Sequence, residues 1–185
     1  YDTQQEALDA TLGKARARME DLARHDLIGE GGVDGAMALI EPVTDLEQAL
    51  DGASLVQESV PEFVDLKRDL MARVAEIAPE DCAIASSTSF IEPSRIFDHV
   101  KGRERCMVLH PGNPPFLIRV VEVVPAPFTS PEAVKLGAGL MAAAGMAPVY
   151  VNKEVEGFVL NRLQGALLRE AYCLVRDGVT SVEDI

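Results

Sequence analysis

The chain has 185 residues, 48% apolar and 25% charged, the proportions of a globular protein with a core rather than of a disordered chain. Its 17 Lys and Arg against 30 Asp and Glu leave a formal net charge of −13, which argues against nucleic acid and against a polybasic membrane attachment, since both need a basic face. No apolar run approaches the roughly 20 residues of a membrane span, and Cys82, Cys106 and Cys173 are too widely spaced for a disulfide framework; they read as free thiols of a reducing compartment, hence a cytoplasmic protein.

Asp2-Thr3-Gln4-Gln5-Glu6 reads as a helix start, and Leu8, Leu12, Ala15, Met19 and Leu22 continue it at helical spacing. The glycine-rich run Gly29 to Gly35 reads as a plain loop: a dinucleotide fingerprint would need a third glycine where Asp34 stands, and a strand rather than a helix before it. Met37 to Ile40 is a short strand candidate, and Asp45 to Leu50 a short helix closed by Gly52. Ser54 to Val60 reads as a strand, followed by a helix through Leu66, Leu70, Val74 and Ile77 that breaks before Pro79. Further strands are expected at Cys82–Ala85, Arg105–Leu109, Ile118–Val124 and Val149–Val151, with a helix from Ser130-Pro131-Glu132 to Gly145. From Gly157 onward, Leu160, Leu163, Leu167, Ala171 and Leu174 mark a longer amphipathic helix ending at Gly178.

Alternating strands and helices up to about residue 153 indicate an α/β, Rossmann-like doubly wound sheet domain over 1–153. Residues 154–185 read as the start of an all-helical C-terminal domain. A helix start directly at Tyr1, and a capping box at Thr180 to Asp184 with nothing after it, give the expectation of a piece of a longer protein.

Ligands of open α/β sheets bind beyond the carboxyl ends of the strands. Two polar clusters fall there: Ser86-Ser87-Thr88-Ser89 after one strand and His110 after the next. Glu122 follows in the strand beyond, and if that strand runs back along its neighbour its carboxylate can face the imidazole, which is how a general base is built. Taken singly, His110 suits a structural histidine, Ser89 turn chemistry and Glu122 a solvated strand face; together they suggest a site. His25 and His99 have no such setting. No nucleophile elbow, P-loop or metal-ligand cluster occurs.

Four segments in order, Ser86-Ser87-Thr88-Ser89, His110-Pro111-Gly112-Asn113-Pro114-Pro115, Val121-Glu122-Val123-Val124 and Gly157-Phe158-Val159-Leu160-Asn161-Arg162, resemble the 3-hydroxyacyl-CoA dehydrogenase family across essentially the whole chain. The proline-rich segment after His110 and the Gly-Phe-Val-Leu-Asn-Arg segment look closest to the branch containing L-gulonate 3-dehydrogenase and lambda-crystallin. The resemblance implies NAD as cofactor, His110 as catalytic base, Glu122 as its partner, and Ser89 and Asn161 at the substrate or nicotinamide end. It implies Asp2 at the adenosine ribose and Glu62, Lys67 and Ser87 as cofactor contacts. It also implies a homodimer for the full-length protein and a small hydroxy acid or an acyl-CoA as substrate. The family's first strand and glycine loop have no counterpart here. Two readings of different class follow: a dehydrogenase of 3-hydroxy acids, L-gulonate-like or acyl-CoA-linked, and a non-catalytic structural protein on the same fold.

Overall fold

The computed structural model describes all 185 residues, which form two compact units, Tyr1–Asp51 and Gly52–Ile185. The first unit is helical. Helix α1 (Gln5–Ala23) buries Leu8 and half-buries Leu12, Met19 and Leu22. Its expected Asp2 or Thr3 cap is displaced: the N-cap is Gln4, whose amide donates to Asp2 Oδ1 at 2.9 Å. The glycine run is not a plain loop, because Gly32–Met37 closes into a short helix, α2. Nor do Met37 to Ile40 form a strand. The amides of Ala38, Leu39 and Ile40 bond back to Asp34, Ala36 and Met37, so these residues prolong the helical turn and leave Leu39 exposed. Helix α3 (Leu46–Leu50) is capped by Asp45, which accepts from the Gln48 amide.

The second unit is built on a five-stranded sheet in the order β1 (Leu55–Glu58), β2 (Ala83–Ser86), β3 (Cys106–Pro111), β4 (Val120–Pro125) and β5 (Ala147–Tyr150). All neighbours pair in parallel except β3 and β4, which are antiparallel and therefore need only the short proline-rich connection between them. Helices α4 (Val64–Ile77) and α5 (Pro93–Phe97) connect β1 to β2 and β2 to β3, and α6 (Pro131–Ala143) connects β4 to β5. Ser130 caps α6 by accepting from the Ala133 amide, with Pro131 at the first helical position. Helix α7 (Leu160–Arg176) ends the unit with no fully buried residue; Leu163, Leu167 and Tyr172 are exposed. The boundary expected at 153/154 falls inside this second unit.

Strand alternation sorts the sheet into two chemically distinct faces. Ala83, Ala85, Met107, Leu109, Val121 and Val123 form one, packed against Ala133 and Ala138 of α6. Gly137 allows that helix to lie close, since a Cβ there would sit 2.9 Å from Met107 Sδ. On the other face Val108 and Val124 pack with Val151 and Phe158. This second face also carries Glu58, Ser86, His110 and Glu122, so every buried polar side chain of the strands lies on one side.

Candidate active site

His110 is the fifth residue of β3, not a loop residue beyond it: the strand runs through Pro111, because β4 pairs back as far as Val121. The same pairing places Glu122 directly opposite His110. His110 Nδ1 lies 2.7 Å from Glu122 Oε2, with the side chains 8% and 3% exposed. A carboxylate only accepts, so Nδ1 is the donor of this pair and Nε2 is the nitrogen that Glu122 does not hold.

The second carboxylate oxygen is also engaged. Glu122 Oε1 accepts from the amides of Val159 at 2.8 Å and Leu160 at 2.9 Å, the first free amides of α7. Two successive left-handed residues, Gly157 (φ +74) and Phe158 (φ +49), turn the chain to bring those amides in. Left-handed backbone is costly for a residue with a Cβ, and here burial offsets it: Phe158 is fully buried, worth about 1.5–3 kcal/mol. Its ring centroid lies 5.6 Å from that of His110, tilted by 54°, so the imidazole is backed by an apolar ring.

A second polar network lies at the ends of β1 and β2 on the same sheet face. Lys67 of α4 is 1% exposed and its ammonium donates to Glu58 Oε1 at 2.8 Å, to Glu58 Oε2 and Val60 O at 3.1 Å, and pairs with Glu62 Oε2 at 3.1 Å. Glu62 Oε1 accepts from Thr88 Oγ1 and, at 3.0 Å, from the Ser89 amide. Partial burial works to raise the Glu62 pKa. The Thr88 and Lys67 hydrogen bonds, the Lys67 charge and the Ser89 amide outweigh it and hold the carboxyl below its ordinary value.

The residues selected from the sequence thus fall into four sets. His110 and Glu122 form one pair. Ser89 and Asn161 are joined directly, Asn161 Nδ2 donating to Ser89 O at 2.7 Å, and Glu62 touches the same serine. Lys67 is turned inward and enclosed by its carboxylates, while half-buried Ser87 has its Oγ engaged by Glu58 O, Gln57 Nε2 and Ser59 Oγ. Asp2 belongs to the first unit, its carboxylate on the Gln4 amide. The sequence names Ser86, Thr88 and Phe158 only as members of polar or family segments, without individual roles, and gives Glu58 none. For Glu58 a signal existed, a carboxylate at the carboxyl end of a strand; for Phe158 only backbone geometry reveals the role.

The model of the 3-hydroxyacyl-CoA dehydrogenase NAD binding domain matches residues 1–155. Lambda-crystallin of Oryctolagus cuniculus is 39% identical over 186 aligned residues, covering all of this chain and 58% of the relative. L-carnitine dehydrogenase of a Pseudomonas species is 44% identical over 143 residues, 77% of this chain and 44% of the relative. The crystal structure of 3-hydroxybutyryl-CoA dehydrogenase from Escherichia coli K12 superposes with a TM-score of 0.88 at 29% identity, covering 97% of this chain and 38% of that one. The chain therefore spans less than two thirds of the length of these relatives.

Proposed function

The chain belongs to the 3-hydroxyacyl-CoA dehydrogenase family, and we propose that the protein containing it is an NAD-dependent dehydrogenase that oxidises the 3-hydroxyl of a small hydroxy acid. One observation carries the reading: a buried imidazole held 2.7 Å from a buried carboxylate at the strand ends of an α/β sheet.

In this reading His110 accepts the substrate's hydroxyl proton on Nε2. Glu122 holds the ring in the tautomer that leaves Nε2 free and steadies the imidazolium that forms. Phe158 keeps water from one side of the ring. Ser89 offers an exposed hydroxyl beside Asn161, suited to orienting a polar substrate group. NAD, when bound, supplies the acceptor for the carbinol hydrogen as hydride.

The donor set suits such a cofactor at one point and not at another. Glu62 keeps 44% of its side chain exposed, and a carboxylate there accepts from ribose-type hydroxyls. Lys67 has no surface to offer a ligand. Asp2 is assigned to the adenosine ribose on the family resemblance.

L-gulonate is the substrate we favour. L-carnitine, also a 3-hydroxy acid, is the second choice on the 44% identity to L-carnitine dehydrogenase. A 3-hydroxyacyl-CoA ranks third, because the excess of carboxylates over cations suits its phosphates poorly. A homodimer in the cytoplasm is part of the same proposal, and the three free thiols support a reducing compartment. The competing reading is a structural protein of the lambda-crystallin kind. Against it stands the cost of burying an imidazole and a carboxylate that packing alone does not require.

The test is NAD binding and steady-state NADH formation by the full-length protein with L-gulonate, L-carnitine and 3-hydroxybutyryl-CoA. Turnover on one of them is expected. NAD binding without turnover on any would move the assignment to the structural protein or to a different hydroxy acid, and no NAD binding would overturn it.

A further inference from the structure

The network around Lys67 has a root that the proposed chemistry does not use. Glu58 is 4% exposed and sits in β1, in register with Ser86. Its Oε1 accepts from Lys67 Nζ at 2.8 Å and from the Val60 amide at 2.5 Å; its Oε2 accepts from Lys67 Nζ at 3.1 Å and from Ser86 Oγ at 2.5 Å. Every acceptor direction is spent inside the protein, so Glu58 touches no ligand.

We propose that Glu58 is a positioning residue for the cofactor edge of the site, fixing Glu62 and Ser89 through Lys67. The chain of contacts runs from a rigid strand outward. Glu58 holds Lys67, Lys67 holds Glu62, Glu62 holds the Ser89 amide and Thr88 Oγ1, and Ser89 O holds Asn161. The exposed members, Glu62 and Ser89, lie on loops and owe their placement to the buried ones. An ammonium enclosed by two carboxylates needs both. With only Glu62 left it would be under-compensated and would draw that carboxylate inward, away from the surface it presents. His110 and Glu122 share no hydrogen bond with this network, so Glu58 acts on the placement of the cofactor and not on proton transfer.

The inference rests on the dehydrogenase reading, and its test separates the two. Wild-type full-length protein, Glu58→Gln, Glu62→Gln and the double variant are compared for NAD affinity by calorimetry, for kcat and KM, and for amide hydrogen exchange at Val60 and Ser89 without NAD. Glu58→Gln is expected to raise the NAD Kd and KM about tenfold, to lower kcat no further than Ser89→Ala does, and to speed exchange at Ser89. Because Glu58 acts through Glu62, the two substitutions should be non-additive. Equal NAD affinity and unchanged Ser89 exchange in a folded Glu58→Gln protein would overturn the inference, as would full additivity. If Glu58→Gln does not fold, Ser86→Ala removes one of the three donors to the same carboxylate and is read the same way, with a smaller shift expected and no shift overturning the proposal. Wild-type protein that binds no NAD would remove the functional reading, while exchange at Ser89 still decides whether Glu58 holds that loop.

Discussion

Glu122 meets His110 with one oxygen only: Oε2 lies 2.7 Å from Nδ1, while Oε1 takes the Val159 and Leu160 amides at 2.8 and 2.9 Å. All three neighbours are donors, so the position demands an acceptor on both sides. Glu122→Gln supplies one acceptor and one donor. If the amide oxygen stays on α7, the NH2 group faces Nδ1 and forces the proton onto Nε2, the nitrogen that must be free. We expect kcat to fall about 10²–10⁴-fold with the fold retained. Imidazole nitrogen chemical shifts should report the exchanged tautomer; unchanged shifts would contradict this account.

His110→Gln should keep the fold and NAD binding and lose turnover by about 10²–10⁴-fold, the usual contribution of a positioned base. Ser89→Ala removes one hydroxyl from an exposed loop and should cost less. The comparison is made by NADH formation on the preferred substrate. Near-normal rates for His110→Gln would refute its assignment as base.

The His110–Glu122 pair was legible in the sequence because strand alternation is strict. Once β3 and β4 run antiparallel through a short turn, a histidine near the end of one and a glutamate near the start of the other fall opposite each other. The doubly wound architecture was legible for the same reason, from short apolar runs alternating with amphipathic helices. Met37 to Ile40 misled because four apolar residues do not distinguish a strand from the end of a helical turn, and the glycines before them do not prevent α2. Helix α5 went unseen: α3 is equally short but starts at the Asp45 cap, whereas α5 starts at Glu92 with no side-chain cap. Glu58 and Lys67 escaped pairing because their contact depends on how α4 packs against the sheet, and a spacing of nine residues across a strand, a turn and a helix start encodes no contact.

Gly157 offers a stability test at the start of α7. Its φ of +74° lies in the left-handed region, and an added Cβ would stand 3.1 Å from the Phe90 ring. Gly157→Ala should cost about 1–2 kcal/mol from backbone strain, with the Phe90 contact adding to it. A urea denaturation midpoint within error of wild type would show that the left-handed turn is not what delivers the Val159 and Leu160 amides.

Glu62 should leave a mark on acid stability. Its carboxyl sits below the ordinary value, so the unfolded chain binds its proton at a higher pH than the folded one. The stabilisation is complete above the unfolded value, near 4.5, and is lost as pH falls through the lower folded value. Glu62→Gln should therefore flatten the dependence of the urea midpoint on pH between about pH 5 and pH 3 and leave its shape unchanged near pH 7. A wild-type slope in the variant would place the acid transition on other carboxylates.

The cysteines should divide by reactivity. Cys106 is fully buried in β3, and burial pushes its thiol up to about 12; burial raises the Cys82 thiol as well, against the opposing charge of Arg105. The reactive species is the thiolate, so both should resist alkylation at neutral pH twice over, by access and by protonation. Cys173 is partly exposed on α7. Mass spectrometry after iodoacetamide treatment of the folded protein should show one adduct, at Cys173, and three once urea has unfolded the chain. Adducts at Cys106 in the folded protein would mean that β3, and with it the backbone carrying His110, opens to solvent on the timescale of labelling.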